Sequence, residues 1–141
     1  MHIVKEAKTF ESISTELLVV GVTKHREQMQ DWASFSAFYG DSLNDWLSAG
    51  DVSTELKSIT KLPFVKEHAN LKRILFVGLD ERKNLTEGDL RAAFGLVGKE
   101  LKALKVKDYS IWLESFTTEA ITVDDVAFIA GEGTTLGYYS I

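Results

Sequence analysis

Residues 72–113, KRILFVGLDERKNLTEGDLRAAFGLVGKELKALKVKDYSIWL, decide the fold. Within Arg73–Leu79, the run Ile74-Leu75-Phe76-Val77 is unbroken apolar sequence, the pattern of a strand covered on both faces. Thr86-x-x-Asp89 then reads as a capping box: the hydroxyl accepts from an early helical N–H and the carboxylate bonds back. Leu90, Ala93, Phe94, Val97, Leu101 and Leu104 follow on one helical stripe. Lys102, Lys105 and Lys107 stand at the end of that helix, where cations complement its dipole. Tyr109 to Leu113 reads as a second buried strand. A strand, a long helix and another strand predict a right-handed parallel crossover.

Outward from this unit the same logic applies. Leu17-Leu18-Val19-Val20-Gly21-Val22 is a second continuous apolar run and a second buried strand. Ile3 to Phe10 alternates poorly and suits an edge strand. A helix is predicted from about Glu27 to Tyr39, carrying Met29, Trp32, Phe35 or Ser36, and Tyr39 at helical spacing and stopped by Gly40. Ser42-x-x-Asp45 predicts a capped second helix that buries Leu43, Trp46 and Leu47 and ends at Gly50. Leu56 to Leu62 is a weaker strand. Pro63 cannot donate to a ladder and so points to an edge or a strand end. Thr122-x-x-Asp125 opens a last helix with Val126, Ala127, Ile129 and Ala130 inward, and Tyr138–Ile141 reads as extended. This order of elements predicts an α/β domain with a mixed, mainly parallel sheet flanked by helices on both faces.

Composition narrows the possible functions. The chain of 141 residues fits one domain, and no repeat, low-complexity tract or linker divides it. Absence of cysteine excludes disulfides, thiolate metal sites and cysteine nucleophiles. The longest apolar run is strand-sized, too short to span a membrane. Residues 1–12 are charged and lack the apolar core of a secretory signal. With 21 acidic against 16 basic residues the net charge is -5, which opposes nucleic-acid binding despite the lysines near 99–107.

No catalytic, cofactor-binding or metal-ligating residue is assigned. His2, His25 and His68 are far apart and form no i, i+4 pair, so they are read as surface or loop histidines. Asp80-Glu81-Arg82-Lys83 lies at the C-terminal end of a buried strand, where α/β sheets place ligands, but is read as a solvated loop. Gly131-Glu132-Gly133-Thr134-Thr135-Leu136-Gly137 nearly matches a phosphate-binding fingerprint, yet follows a helix rather than a strand. Close helix packing, or fraying, accounts for it better. Asp124-Asp125 fits a first helical turn, and no nucleophile elbow is present. Trp32, Trp46 and Trp112 read as core. Phe35, Phe38 and Tyr39 exceed what one helix face needs; core packing is preferred over a partner surface.

Several motifs, taken in order, resemble the N-terminal domain of the leucyl (cytosol) aminopeptidase family. They are Glu16–Val22, Leu47-Ser48-Ala49-Gly50-Asp51, Arg73–Leu79 with its Val-Gly-Leu ending, Leu90-Arg91-Ala92-Ala93 and the closing Leu136-Gly137-Tyr138-Tyr139. The resemblance implies a macro-domain-like fold and one domain over residues 1–141, with a separate C-terminal catalytic domain. It implies a cytoplasmic, hexameric parent that removes N-terminal residues, often leucine, from peptides. In the family two divalent metals, zinc or manganese, activate water in that catalytic domain. Its ligands lie partly within Asn-Thr-Asp-Ala-Glu-Gly-Arg, a motif absent here. Asn84–Arg91 has a similar composition but not the order, and its Thr86 and Asp89 are already explained as a helix cap. The expected role is support of assembly and of active-site access. The alternative is a macro-type module that binds ADP-ribose or a related nucleotide, and a third reading, DNA binding, is opposed by the charge.

Overall fold

The computed structural model describes residues 1–4, 7–29 and 31–140. Strand β2 (Leu17–Val22) is buried at every position and forms the centre of a five-stranded sheet of order β1-β5-β2-β4-β3. Its neighbours are β4 (Arg73–Gly78) and β5 (Ser110–Trp112), both parallel to it, with Leu18 opposite Ile74 and Ser110. The edges are β1 (His2–Val4), parallel to β5, and β3 (Ile59–Pro63), antiparallel to β4. The sheet is therefore mixed and mainly parallel.

Alternation along these strands builds two cores. Leu17, Val19, Leu75, Val77 and Ile111 point to one face, where α3 (Glu87–Ala103) and α4 (Val123–Tyr138) cover them. Leu18, Val20, Val22, Ile74, Phe76 and Trp112 point to the other, under α1 (Trp32–Tyr39) and α2 (Ser42–Ala49). Helices thus flank both faces. The crossover from β4 through α3 to β5 is parallel, and it passes over β2, which lies between the two strands.

The aromatic surplus is core. Phe10, Phe35, Phe38 and Trp112 pack at ring separations of 4.9–5.4 Å for the pairs Phe10–Trp112, Phe35–Trp112, Phe10–Phe38 and Phe10–Phe35. Burial of each such side chain contributes about 1.5–3 kcal/mol. Tyr39 is also buried, which pushes its phenol above the usual range, and its hydroxyl donates to the Pro63 carbonyl at 3.2 Å.

Five expectations need correction. The helix expected from Glu27 begins only at Trp32: Asp31 has φ of 64°, and Arg26–Gln28 is a separate 3-10 turn. The capping box at Ser42 does not form, because Asp41 is already helical (φ -62°, ψ -27°), so Ser42 lies inside the helix and makes no cap bond. Trp46 is only half-buried. The edge strand expected over Ile3–Phe10 is shorter, with a 3-10 turn at Ala7–Ser12, and residues 5–6 lie outside the described residues. Tyr138–Ser140 is not extended: α4 runs through Tyr138 and Tyr139 caps it, while Ile141 lies outside the described residues.

Candidate functional site

Parallel strands present their C-terminal ends, and the loops leaving them, on one rim of the sheet, the usual place for ligands in α/β folds. Here the loops after β2 and β4 are latched together. The Lys24 N–H donates to the Asp80 carbonyl at 3.0 Å, and the Leu79 N–H donates to Val22 at 2.9 Å. Lys24 Nζ also pairs with Asp80 Oδ1 at 2.8 Å. That hydrogen bond, with the charge of Asp80, raises the Lys24 pKa above its ordinary 10.5. Beside the latch lies an open cleft of about 720 Å³ lined by His25, Gln28, Glu81, Arg82, Lys83 and Thr118, among others.

The chemistry of this cleft is mixed. Arg82 spends donors on the protein itself: Nε donates to the Thr117 carbonyl at 2.7 Å and Nη2 to Thr117 Oγ1 at 3.3 Å. Lys83 pairs with Glu81 at 3.4 Å, and His25 Nδ1 lies 3.9 Å from Glu27. Lys83 and His25 have acidic neighbours, whereas Arg82 is held by the neutral Thr117 carbonyl and hydroxyl, so its positive charge remains on the rim. The segment Asp80–Lys83 is thus loop and 3-10 turn, as the sequence suggested.

The glycine run Gly131–Gly137 lies within α4, and its Gly133 and Gly137 face α3. A methyl group built on Gly137 would collide with the Gly95 carbonyl oxygen, and one on Gly98 with that of Thr134. These glycines bring two helix backbones into contact, so they are not free to wrap a phosphate. Between them Tyr109 donates its hydroxyl to Thr134 Oγ1 at 2.8 Å, and Thr134 donates to the Ala130 carbonyl at 2.6 Å. Burial raises the Tyr109 pKa; the hydrogen bond to Thr134 opposes that shift.

The remaining candidates disperse. His2 pairs with Asp108 at 2.7 Å. His68 Nδ1 accepts the N–H groups of Asn70 and Leu71 at 3.1 and 3.0 Å, pinning the loop before β4. Asp125 completes a capping box with Thr122, as Asp89 does with Thr86. Among the described residues no three His, Asp or Glu side chains converge on a position that could hold a metal. The family's metal pair therefore has no fitting ligand set in them.

One feature eluded the sequence reading. Phe128, Leu136 and Tyr139 are 69%, 64% and 76% exposed along the outward side of α4. They recur at i, i+8 and i+11, a spacing that places them on one helix face. The signal was in the sequence, but it sits opposite the inward stripe that defines the helix.

The model of the cytosol aminopeptidase family, N-terminal domain, matches residues 19–141. The chain belongs to that family. The match covers most of both cores and the whole of α3 and α4. This aminopeptidase-family domain is also similar in structure to the macrodomain of Mycobacterium tuberculosis DarG, with TM-score 0.68 and 12% identity, covering 94% of this chain and 90% of that one. The macrodomain of Thermus aquaticus DarG gives TM-score 0.67 at 12% identity, covering 95% and 89%. At such identity the likeness establishes a macro-like fold and nothing about ligands. Among the described residues no helix is long and apolar enough to cross a membrane.

Proposed function

We propose that residues 1–141 form the single, non-catalytic N-terminal domain of a metal-dependent aminopeptidase that releases N-terminal amino acids, often leucine, from peptides. The observation that carries this reading is the family match over residues 19–141. The catalytic chemistry, two divalent metals such as zinc or manganese polarising the peptide carbonyl and supplying hydroxide, belongs to a C-terminal catalytic domain. The N-terminal domain supports assembly, as a hexamer in the cytoplasm, and shapes access to the active site. The glycines packed between α4 and α3 and the capping boxes at Thr86 and Thr122 give the candidate motifs structural roles, which supports a framing role. The test is hydrolysis of leucine amide with added Mn²⁺ or Zn²⁺: the full-length parent turns over and this chain alone does not. Turnover by this chain alone overturns the proposal.

A nucleotide-binding module is the second reading, favoured by the cleft at the ends of β2 and β4 and by the macro-like fold. It is the weaker one, because Gly133 and Gly137 are packed against α3 rather than free to form a phosphate loop. Calorimetric titration with ADP-ribose decides it; micromolar binding would reverse the preference.

A further inference from the structure

We propose that the pocket lined by Arg26 and Asp41, on the α1–α2 side of the sheet, binds a small zwitterion, an amino acid or short peptide held by its carboxylate and its ammonium group. The proposal goes beyond the function proposed above and does not depend on it. The positive wall is Arg26. Its guanidinium lies over the ring of Trp32, with Cζ 5.9 Å from the centroid, a cation–π contact. Its Nε is sealed from solvent and meets no acceptor, so packing on the indole, and not a hydrogen bond, holds the group in place. Among the described residues no carboxylate pairs with Arg26 and no oxygen accepts from its accessible Nη groups. A fixed guanidinium with free donors is suited to a carboxylate.

The negative wall is Asp41. It precedes α2 but makes no cap bond, and its carboxylate has no partner among the described residues. Glu27, a second carboxylate of the wall, already has His25 Nδ1 at 3.9 Å. Arg26 and Asp41 thus present opposite charges to one open pocket of about 450 Å³, yet form no ion pair with each other. Small-ligand sites run from about 300 to 1,000 Å³. A simple anion would meet Arg26 but bring a like charge to Asp41, and a simple cation would do the reverse. A zwitterion matches both walls.

A short relay aims further donors at the same space. The buried Trp32 donates its indole N–H to Asn44 Oδ1 at 3.4 Å, which sets the orientation of that amide. Asn44 Nδ2 then donates to Ser36 Oγ at 2.8 Å. Ser36 therefore accepts from Asn44 and keeps its own proton, for which no acceptor stands among the described residues. Ser36 and Asn44 line the pocket, so hydroxyl and amide donors join Arg26 around the place for the carboxylate. The groups are preordered by Trp32 before any ligand arrives, which lowers the cost of binding.

The test is a nuclear magnetic resonance titration of the isotope-labelled chain. The indole N–H resonance of Trp32, assigned by its loss in Trp32→Phe, and the Asn44 side-chain amide report on the pocket. The probes are L-leucine, glycyl-leucine, isocaproate, which lacks the ammonium group, and isoamylamine, which lacks the carboxylate. At least one of the two zwitterions should shift both reporters saturably below about 10 mM. Isocaproate and isoamylamine should bind about tenfold more weakly or less, the loss expected for one charge-assisted contact. Arg26→Gln and Asp41→Asn should each weaken zwitterion binding by a similar factor, whereas Lys83→Gln, on the rim cleft, should leave it unchanged. No saturable shift with either zwitterion overturns the proposal, as does isocaproate or isoamylamine binding as tightly as the zwitterions. Unchanged affinity in a folded Arg26→Gln or Asp41→Asn chain overturns it too. The analogue series in the unaltered chain decides the matter even where a variant fails to fold. The preference between L-leucine and glycyl-leucine identifies the source of the zwitterion, and either order supports the site. Failure here leaves the proposed function standing, because no hydrolysis is read.

Discussion

Replacing Gly137 by alanine and Gly95 by alanine should shift stability in opposite directions, although the two residues face each other across the α3–α4 contact. Helix propensity alone favours both changes by about 1 kcal/mol. At Gly95 nothing lies within 4 Å of the added methyl, so that gain survives intact. At Gly137 the methyl meets the Gly95 carbonyl oxygen, and it lies 2.8 Å from the Gly95 carbonyl carbon and 3.0 Å from its Cα. These are backbone atoms of a capped helix and cannot swing aside as a side chain would. The helices must separate, loosening Phe94, Val97 and Ile129 beneath them. Overpacking of this kind costs about 1–3 kcal/mol, and here it falls at the severe end because the clash is with backbone. After the propensity gain, Gly137→Ala should destabilise by about 1–2 kcal/mol, a fall in Tm of about 3–8 °C for a chain of this length. Gly95→Ala should raise Tm by about 2–4 °C. Thermal denaturation followed by circular dichroism reads both. If Gly137→Ala is as stabilising as Gly95→Ala, the glycine run is not a packing device and the argument against a ligand loop loses its footing.

Other predictions follow from the caps, the buried tyrosine and the rim. Thr86→Ala and Thr122→Ala should each cost about 1 kcal/mol in urea titrations, whereas Ser42→Ala should fall within about 0.5 kcal/mol of wild type, since Ser42 caps nothing. Tyr109 and Lys24 have folded pKa values raised above the ordinary 10.0 and 10.5. Their stabilisation is therefore complete below pH 10 and is lost as pH rises through the folded values. Tyr109→Phe should shallow that alkaline loss, as measured by urea midpoints across the pH series; an unchanged slope would show that the buried phenol does not contribute. Trp112→Ala should cost about 3–5 kcal/mol, because it empties the centre of the aromatic core.

Strands β2 and β4 were legible because both are covered on two faces, which leaves an apolar run with no other soluble explanation. The caps at Thr86 and Thr122 were legible because each precedes a long stripe and enters from extended backbone, with ψ of 162° and 169°. The same pattern failed at Ser42, where Gly40 turns the chain straight from one helix into the next and leaves no extended residue to cap. Periodicity ran through Asp31 without seeing its left-handed backbone, which only tertiary context imposes. The last turn of α4 was lost for a related reason: a glycine-rich segment has poor helix propensity, and its helicity is supplied by packing on α3. The rim cleft could not be assembled from sequence, since His25, Glu81 and Thr118 come from three separate loops. Phe128, Leu136 and Tyr139 are exposed on the outer side of α4, and their spacing stands out only once the inward stripe of that helix is fixed.

The central question is which domain carries the chemistry. Leucine amide hydrolysis, assayed with Mn²⁺ or Zn²⁺ for the 141-residue chain and for the full-length parent at equal molarity, addresses this directly. The prediction is metal-dependent turnover by the full-length protein and none by the chain alone. Turnover by the chain alone, or an inactive full-length protein, would contradict it.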